Sequence, residues 1–269
     1  MPAIQPERLK RQAVELGTHF DKPSGFIREL KHLFEFYANR AQRPGQSRKP
    51  ASLIPTYNVS AQVIRRILSE ITPHAETDPE EGLALAEALW AEPVFESRLL
   101  ATHLIGRIPV KAPDMITDLI ESWVDENDED KLLEGLAVNG LAYLRQADTN
   151  ILLSLVGLWI SEVDLNQQKL GLRALLAILN EPGFENLPKI YKLITPLVEE
   201  APKLLRPYLI DVIRSLVDLS TNETAIFLQN AASGGSKETT RWLIRRSADM
   251  FPEGLASQLR RISRTSAPE

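Results

Sequence analysis

The chain of 269 residues contains no cysteine, which excludes disulfide bonds, thiolate catalysis and cysteine-ligated zinc. It also lacks the glycine-rich loops GxGxxG and GxxxxGK[ST], which hold nucleotide phosphates, and the GxSxG turn of serine hydrolases. The four histidines are far apart and form no HExxH or HxH pair: they are His19, His32, His74 and His103. We therefore expect no metal ion and no nucleotide or other cofactor.

Long apolar runs are also missing. The longest, Ile151 to Ile160, is about half the ~20 residues that a membrane-spanning helix needs. The first residues, Met1 to Lys10, are polar and have no apolar core of the kind found in a secretory signal. The sequence therefore predicts a soluble cytoplasmic protein that does not contact a membrane.

The net charge of −5 is unevenly distributed along the chain. Ala112 to Ser236 carries 9 basic and 19 acidic residues, whereas Lys237 to Glu269 carries 7 basic and 4 acidic ones. The segment Arg8 to Lys49 is also basic, with ten basic residues against four acidic. The basic ends suit a nucleic-acid partner, and the acidic middle suits a protein partner.

Helical periodicity runs through most of the chain. In Lys203 to Leu219 apolar residues recur at helical spacing, which places Arg206 on the wetter side. Ser24 to Arg43 is predicted to form one long amphipathic helix. Proline and the N-cap residues Asp, Ser and Thr mark the breaks. Successive helix pairs are predicted to begin at five positions, namely near Pro79, Ala112, Asp148, Pro182 and Thr221.

This spacing of roughly 35 to 40 residues is typical of HEAT-like and armadillo-like repeats. The predicted fold is all-α, an α-solenoid of helix pairs. We expect N-terminal helices and a basic loop over residues 1–57, packed on a repeat array over 58–264, with a frayed tail at 265–269.

Three groups of residues could bind a ligand or perform chemistry. In the first, Trp123 precedes an acidic run, Asp125 to Asp130. This pattern could place a functional carboxylate beside an aromatic ring. It is also typical of a core tryptophan followed by the acidic N-terminus of the next helix. In the second, Trp242 lies among arginines and could stack on a base, or be buried. The third is the polar start of a helix over Asn166 to Leu176.

These groups, in this order, resemble the AlkD-type DNA alkylation repair family, the HEAT-like-repeat alkylpurine DNA glycosylases. The segments Ala88 to Trp90 and Pro93 to Ala101 also resemble a helix junction of that family, and Asn222 to Leu228 fits its C-terminal part. The resemblance covers roughly Asn58 to Arg261.

The resemblance implies a curved right-handed stack of helix pairs whose concave basic face embraces duplex DNA. It implies release of cationic bases such as 7-methylguanine or 3-methyladenine, with an aspartate stabilising the cationic sugar. The candidate catalytic residues are Asp128 and Asp125, the aspartates on either side of the position at which the family carries its own. The expected DNA-binding residues are Trp123, Lys169, Arg173, Trp242, Arg245, Arg65 and Arg66.

The sequence departs from the family where the chemistry is expected. In the family, the catalytic aspartate lies four residues after the first tryptophan. In this chain that tryptophan is Trp123, and the position four residues later is Asn127. The arginine of the W-x-R-R run is replaced by Lys169, which lacks the bidentate fork.

Three functions follow as hypotheses. The first is a protein that binds damaged, distorted or branched duplex DNA with weak or lost glycosylase activity. The second is an active alkylpurine glycosylase that uses Asp128 or Asp125. The third is a non-enzymatic scaffold for a protein partner. In each case we expect a monomer.

Overall fold

The computed structural model describes residues 5–39, 54–109, 113–125, 129–233 and 238–264. Within these ranges the structure is helical and contains no strand, which confirms the all-α prediction. None of the helices in these ranges has both the length and the apolar character that spanning a bilayer requires. The chain divides into two compact units, Met1–Asp148 and Thr149–Glu269.

The first unit is built from short helices. They are α1 (Pro6–Gly17), α2 (Pro23–Tyr37), α3 (Ala61–Thr77), α4 (Pro79–Ala91), α5 (Phe95–Ile105), α6 (Pro113–Asp125), α7 (Asp130–Gly135), a π-helical turn (Leu136–Gly140) and α8 (Ala142–Ala147). Proline begins α2 and α4, where its missing N–H leaves no helical hydrogen bond unmade. The N-terminal helix α1 packs on α3, and α2 packs on α4.

The second unit follows the same plan. It contains α9 (Thr149–Ser161), α10 (Leu165–Leu179), α11 (Leu187–Glu199), a 3₁₀ turn (Lys203–Leu205), α12 (Arg206–Leu219), α13 (Thr221–Ser233), α14 (Glu238–Ser247), a second 3₁₀ turn (Ala248–Met250) and α15 (Glu253–Arg264). The helix α10 packs on α9 and α12, and α14 packs on α12 and α15. The leucine and isoleucine side chains between these helices are buried and form the core.

Two helical hairpins, α4–α5 and α9–α10, share one hydrogen-bond pattern. In the first, Arg98 Nε donates to the carbonyl oxygens of Trp90 (3.0 Å) and Glu92 (3.3 Å), which end the preceding helix. In the second, Gln168 Nε2 donates to those of Ile160 (3.3 Å) and Glu162 (2.8 Å). The acceptors lie eight and six residues before the donor in both hairpins. We call this pattern the hairpin clamp. Its recurrence agrees with the helix-pair periodicity of the sequence.

The π turn in the first unit brings two backbones very close together. A Cβ built on Gly106, at the end of α5, would lie 1.7 Å from the carbonyl oxygen of Asn139 in the π turn. The Gly106 carbonyl in turn accepts a hydrogen bond from the Tyr143 N–H at 3.0 Å. The extra residue of a π turn moves a carbonyl out of its helical position, and here only glycine leaves room for it.

Three sequence predictions are corrected by the structure. The helix predicted over Ser24 to Arg43 begins at Pro23 and ends at Tyr37, because Ala38 is already extended with ψ of 132°. The helix predicted to start near Pro182 begins at Leu187, after a turn in which Gly183 has a φ of 81°. Arg206 is not on the wetter side of its helix, since it is only 9% exposed.

The predicted division into residues 1–57, 58–264 and 265–269 stays a prediction. Most of the basic loop, residues 40–53, and the tail 265–269 lie outside the described residues.

Candidate nucleic-acid interface

Trp123, near the end of α6, is packed into the core of the first unit. Its side chain is 4% exposed and stacks on Trp90 of α4, with ring centroids 4.5 Å apart and an interplanar angle of 6°. The Arg98 guanidinium lies 5.1 Å from the centroid of the Trp90 ring. The Trp123 ring is therefore occupied by contacts within its own unit and is not presented to a ligand.

The Arg98 guanidinium has two roles at this position. It closes the α4–α5 hairpin through the hairpin clamp, and it stands close to the Trp90 ring. The Trp90 Nε1 atom is buried and has no hydrogen-bond partner within the described part of the chain. The stack is therefore held by ring contact, with its position fixed by the hairpin beneath it.

Asp125 is the last residue of α6 and is exposed. A carboxylate at a helix C-terminus lies at the negative end of the helix dipole, where an anion is disfavoured. Glu129 and Asp130, by contrast, stand at the N-cap and first position of α7, where acids are favoured. The helix dipole thus accounts for Glu129 and Asp130 but not for Asp125. Asp128 and Asn127 lie outside the described residues.

The two basic candidates on α3 differ in their surroundings. Arg65 is exposed, whereas Arg66 is partly buried and forms an ion pair with Glu70 one helical turn later. An arginine committed to a neighbouring carboxylate is less available to a phosphate, so Arg65 is the better placed of the two.

Lys169 and Arg173 lie one turn apart on α10, and both are partly buried. The Lys169 Nζ donates to Asn166 Oδ1 at 3.2 Å. The Arg173 guanidinium lies 4.9 Å from the centroid of the Tyr208 ring. Asp164 caps the helix by accepting hydrogen bonds from the N–H groups of Asn166 and Gln167 at 2.8 and 2.9 Å. The first turn of α10 therefore already binds a carboxylate from its own chain.

Trp242 and Arg245 share one side of α14, where Trp242 is half-buried and Arg245 is exposed. The Arg206 guanidinium, from the first turn of α12, lies 5.7 Å from the Trp242 ring centroid. Arg206 also contacts the start of α14, with Nη2 3.2 Å from Thr239 Oγ1 and Nη1 3.3 Å from Glu238 Oε1. Its Nε is buried and has no hydrogen-bond partner among the described residues. We call Trp242, Arg206 and Arg245 the tryptophan platform.

The family assignment comes from comparison with known proteins. Residues 30–248 match the family model described as DNA alkylation repair enzyme, and this range includes every residue discussed in this section. The chain belongs to the DNA alkylation repair enzyme family. Neither a curated protein nor a solved structure matches the chain.

Family membership supports a DNA-repair type of function and an interaction with DNA. Among the predicted site residues, the structure supports local groupings. In the first unit Trp123 stacks on Trp90, and Asp125 lies two residues after Trp123 in the sequence. In the second unit Trp242 and Arg245 stand together on α14, while Lys169 and Arg173 stand together on α10. The roles of these residues in DNA binding or catalysis stay predictions.

Three residues at these sites are not among the predicted site residues: Trp90, Arg98 and Arg206. Trp90 and Arg98 belong to the two segments that resemble a helix junction of the family. Arg206 did carry a signal, because it is a cation in the first turn of a helix, where the dipole disfavours positive charge. Such a placement points to a tertiary partner, and the partner is the start of α14 together with Trp242.

Proposed function

We propose that this protein binds damaged or distorted duplex DNA as a member of the DNA alkylation repair enzyme family, with weak or lost glycosylase activity. The observation that carries the proposal is the tryptophan platform, in a chain of this family. The exposed part of a half-buried indole can stack on a base or sugar, and an exposed arginine one turn away can bind a phosphate. Arg206 stiffens the platform by packing against the indole and the start of α14.

The weak or lost activity is inferred from the residues at the expected chemical positions. Asn127 stands where the family resemblance expects the aspartate, and an amide supplies no negative charge to a developing oxocarbenium ion. Lys169 stands where it expects an arginine. The finer fold also belongs to this proposal: a right-handed solenoid of HEAT-like or armadillo-like helix pairs, curved so that a concave face receives the DNA.

A second candidate, an active alkylpurine glycosylase, is favoured by the position of Asp125. Its exposed carboxylate lies at a helix C-terminus, a place that helix stability does not explain. Asp125, or Asp128 after it, would then stabilise the cationic sugar as the base departs. We further propose that the protein acts in the cytoplasm as a monomer and needs no cofactor in either case.

The test is binding to a labelled duplex, plain or carrying one 7-methylguanine, measured by fluorescence anisotropy across a salt series. We expect affinity to fall with salt, with a log–log slope of roughly −0.9 for each phosphate neutralised. Arg245→Gln is expected to weaken binding and to reduce the slope by about one such contact. Arg28→Gln, which removes an exposed arginine of α2, is the matched control.

Two results would contradict the proposal. One is absence of binding to either duplex at low salt, which would turn attention to a protein partner. The other is an equal loss of affinity in Arg245→Gln and Arg28→Gln. That result would mean that Arg245 contributes only through net charge, as any exposed arginine does.

A further inference from the structure

The helix α15 carries a row of arginines along one side. Ser257, Arg260, Arg261 and Arg264 follow one another at helical spacing and line an open cleft of about 420 Å³. The opposite side of α15 is buried through Ala256 and Leu259, which hold the helix against its neighbours. We call this feature the α15 cleft. It belongs neither to the tryptophan platform nor to the predicted site residues.

The charges around the α15 cleft favour an anion. Arg260 forms ion pairs with Asp249 and with Glu253, the latter at 3.3 Å, and these carboxylates offset its charge and fix its position. Arg261 and Arg264 are exposed on the same side. Over residues 238–264 six arginines face three acidic residues, although the whole chain has a net charge of −5. Positive charge is therefore concentrated at this end of the second unit.

The shape of the α15 cleft favours a polymer of phosphates over a single phosphate ion. The row of eight helical residues from Ser257 to Arg264 spans seven rises of 1.5 Å, which is roughly 10 Å. One DNA strand places a phosphate about every 3.4 Å along the helix axis, so about three phosphates span this length. A single phosphate would instead need donors that converge on one point.

The lining of the α15 cleft also argues against a protein partner. Only serine and arginine side chains line it. Protein interfaces are usually centred on buried aromatic or aliphatic anchors, and no such pocket is present in this lining. Guanidinium groups, in contrast, match pairs of phosphate oxygens with two parallel hydrogen bonds.

We propose that the α15 cleft binds the phosphate backbone of DNA through Arg261 and Arg264, with Arg260 held in place as its wall. This inference rests on the proposed DNA-binding function and adds a second contact to it. The contact is to the backbone alone, so it contributes affinity and salt dependence without sequence or lesion preference.

The test compares salt series for the whole protein on a plain duplex. Arg261→Gln/Arg264→Gln is expected to bind more weakly than the parent and to reduce the magnitude of the log–log slope by about 1.8, equivalent to two phosphate contacts. Arg28→Gln/Arg214→Gln removes the same charge from exposed positions on α2 and α12 and should leave the slope unchanged. Arg261→Lys/Arg264→Lys should keep the parent slope, since each lysine still neutralises a phosphate.

The possible outcomes separate this inference from the proposed function. If the parent binds DNA and the α15 double variant keeps the parent slope, the α15 cleft is not a DNA contact, while the proposed function stands. If both double variants lower the slope equally, net charge alone is responsible and the inference is overturned. If the parent itself does not bind DNA, both fail. Circular dichroism of each variant shows whether its helices are intact.

Discussion

At the scale of single residues, Arg206 shows how a buried cation can organise a surface. It starts α12, is nearly inaccessible to solvent, and contacts both the Thr239 hydroxyl and the Trp242 ring. We predict that Arg206→Lys lowers the free energy of unfolding by about 1–2 kcal/mol, because an ammonium group cannot make these contacts together. Urea unfolding followed by circular dichroism measures the change.

The control for this prediction is Glu238→Gln. The Glu238 side chain is 74% exposed, and exposed ion pairs contribute little to stability. We expect Glu238→Gln to leave the unfolding midpoint almost unchanged. A larger loss in Glu238→Gln than in Arg206→Lys would show that the ion pair, rather than the hydroxyl and the indole, holds Arg206.

His103 on α5 makes stability depend on pH. Burial, reinforced by the positive charge of Arg107, lowers the pKa of His103 below its ordinary value. The unfolded chain then takes up the proton at a higher pH than the folded protein does. The contribution of the neutral His103 to stability is therefore present at pH values above its pKa in the unfolded chain, about 6.5. That contribution is lost as the pH falls below this pKa.

We accordingly predict that the free energy of unfolding declines as the pH is lowered from about 7 towards about 5, and that His103→Gln declines less over this interval. Urea unfolding at several pH values compares the two proteins. Equal declines would mean that His103 titrates alike in the folded and unfolded chains.

At the scale of the element, the π turn depends on one glycine. Gly106 has an ordinary φ of −77°, so an alanine there meets no backbone strain. Its Cβ would nevertheless overlap the Asn139 carbonyl. We predict that Gly106→Ala lowers the free energy of unfolding by about 1–3 kcal/mol, since two backbones have to move apart.

The matched control for that prediction is Gly254→Ala in α15. Gly254 is exposed, and a Cβ there would have nothing within 4 Å. Alanine favours a helix over glycine by about 0.5–1 kcal/mol, so this variant should be slightly more stable than the parent. Thermal unfolding of both variants tests the pair, and equal stability of the two would contradict the account of the π turn.

The sequence predicted most of the helices because their signals are local. Proline and capping residues indicated the starts of α4, α6, α9 and α13 to within a residue or so, as at Pro79 and Thr221. Prediction from the sequence failed where a contact between distant parts of the chain determines the local structure or the burial of a residue. The π turn over Leu136–Gly140 was not predicted, because the close approach of its backbone to Gly106 leaves no mark in the local sequence. Similarly, Arg206 fitted a polar helix face by spacing, yet it is buried by α14.

At the scale of the whole molecule, the residues at the expected chemical positions determine how fast the protein can release a base. We predict that the full chain releases 7-methylguanine from duplex DNA no faster than the uncatalysed reaction, because Asn127 supplies no charge. Chromatography of released bases over time measures the rate. Release that is lost in Asp125→Asn or Asp128→Asn would instead establish an active glycosylase and identify its carboxylate.

The site was less predictable than the fold. The sequence predicted that Trp242 and Arg245 lie close together, because they are three residues apart on one helix. The stack of Trp90 on Trp123 was not predicted, because the two residues belong to different helices and spacing reports only neighbours within a helix.

The hairpin clamp has a consequence for which residues can close a helical hairpin. The same two carbonyl contacts are made by an arginine in one hairpin and by a glutamine in the other. The two side chains differ in length and in charge, and they share an N–H group that reaches back to the end of the preceding helix. The requirement at this position is therefore a donor at the right distance, whatever charge the residue carries.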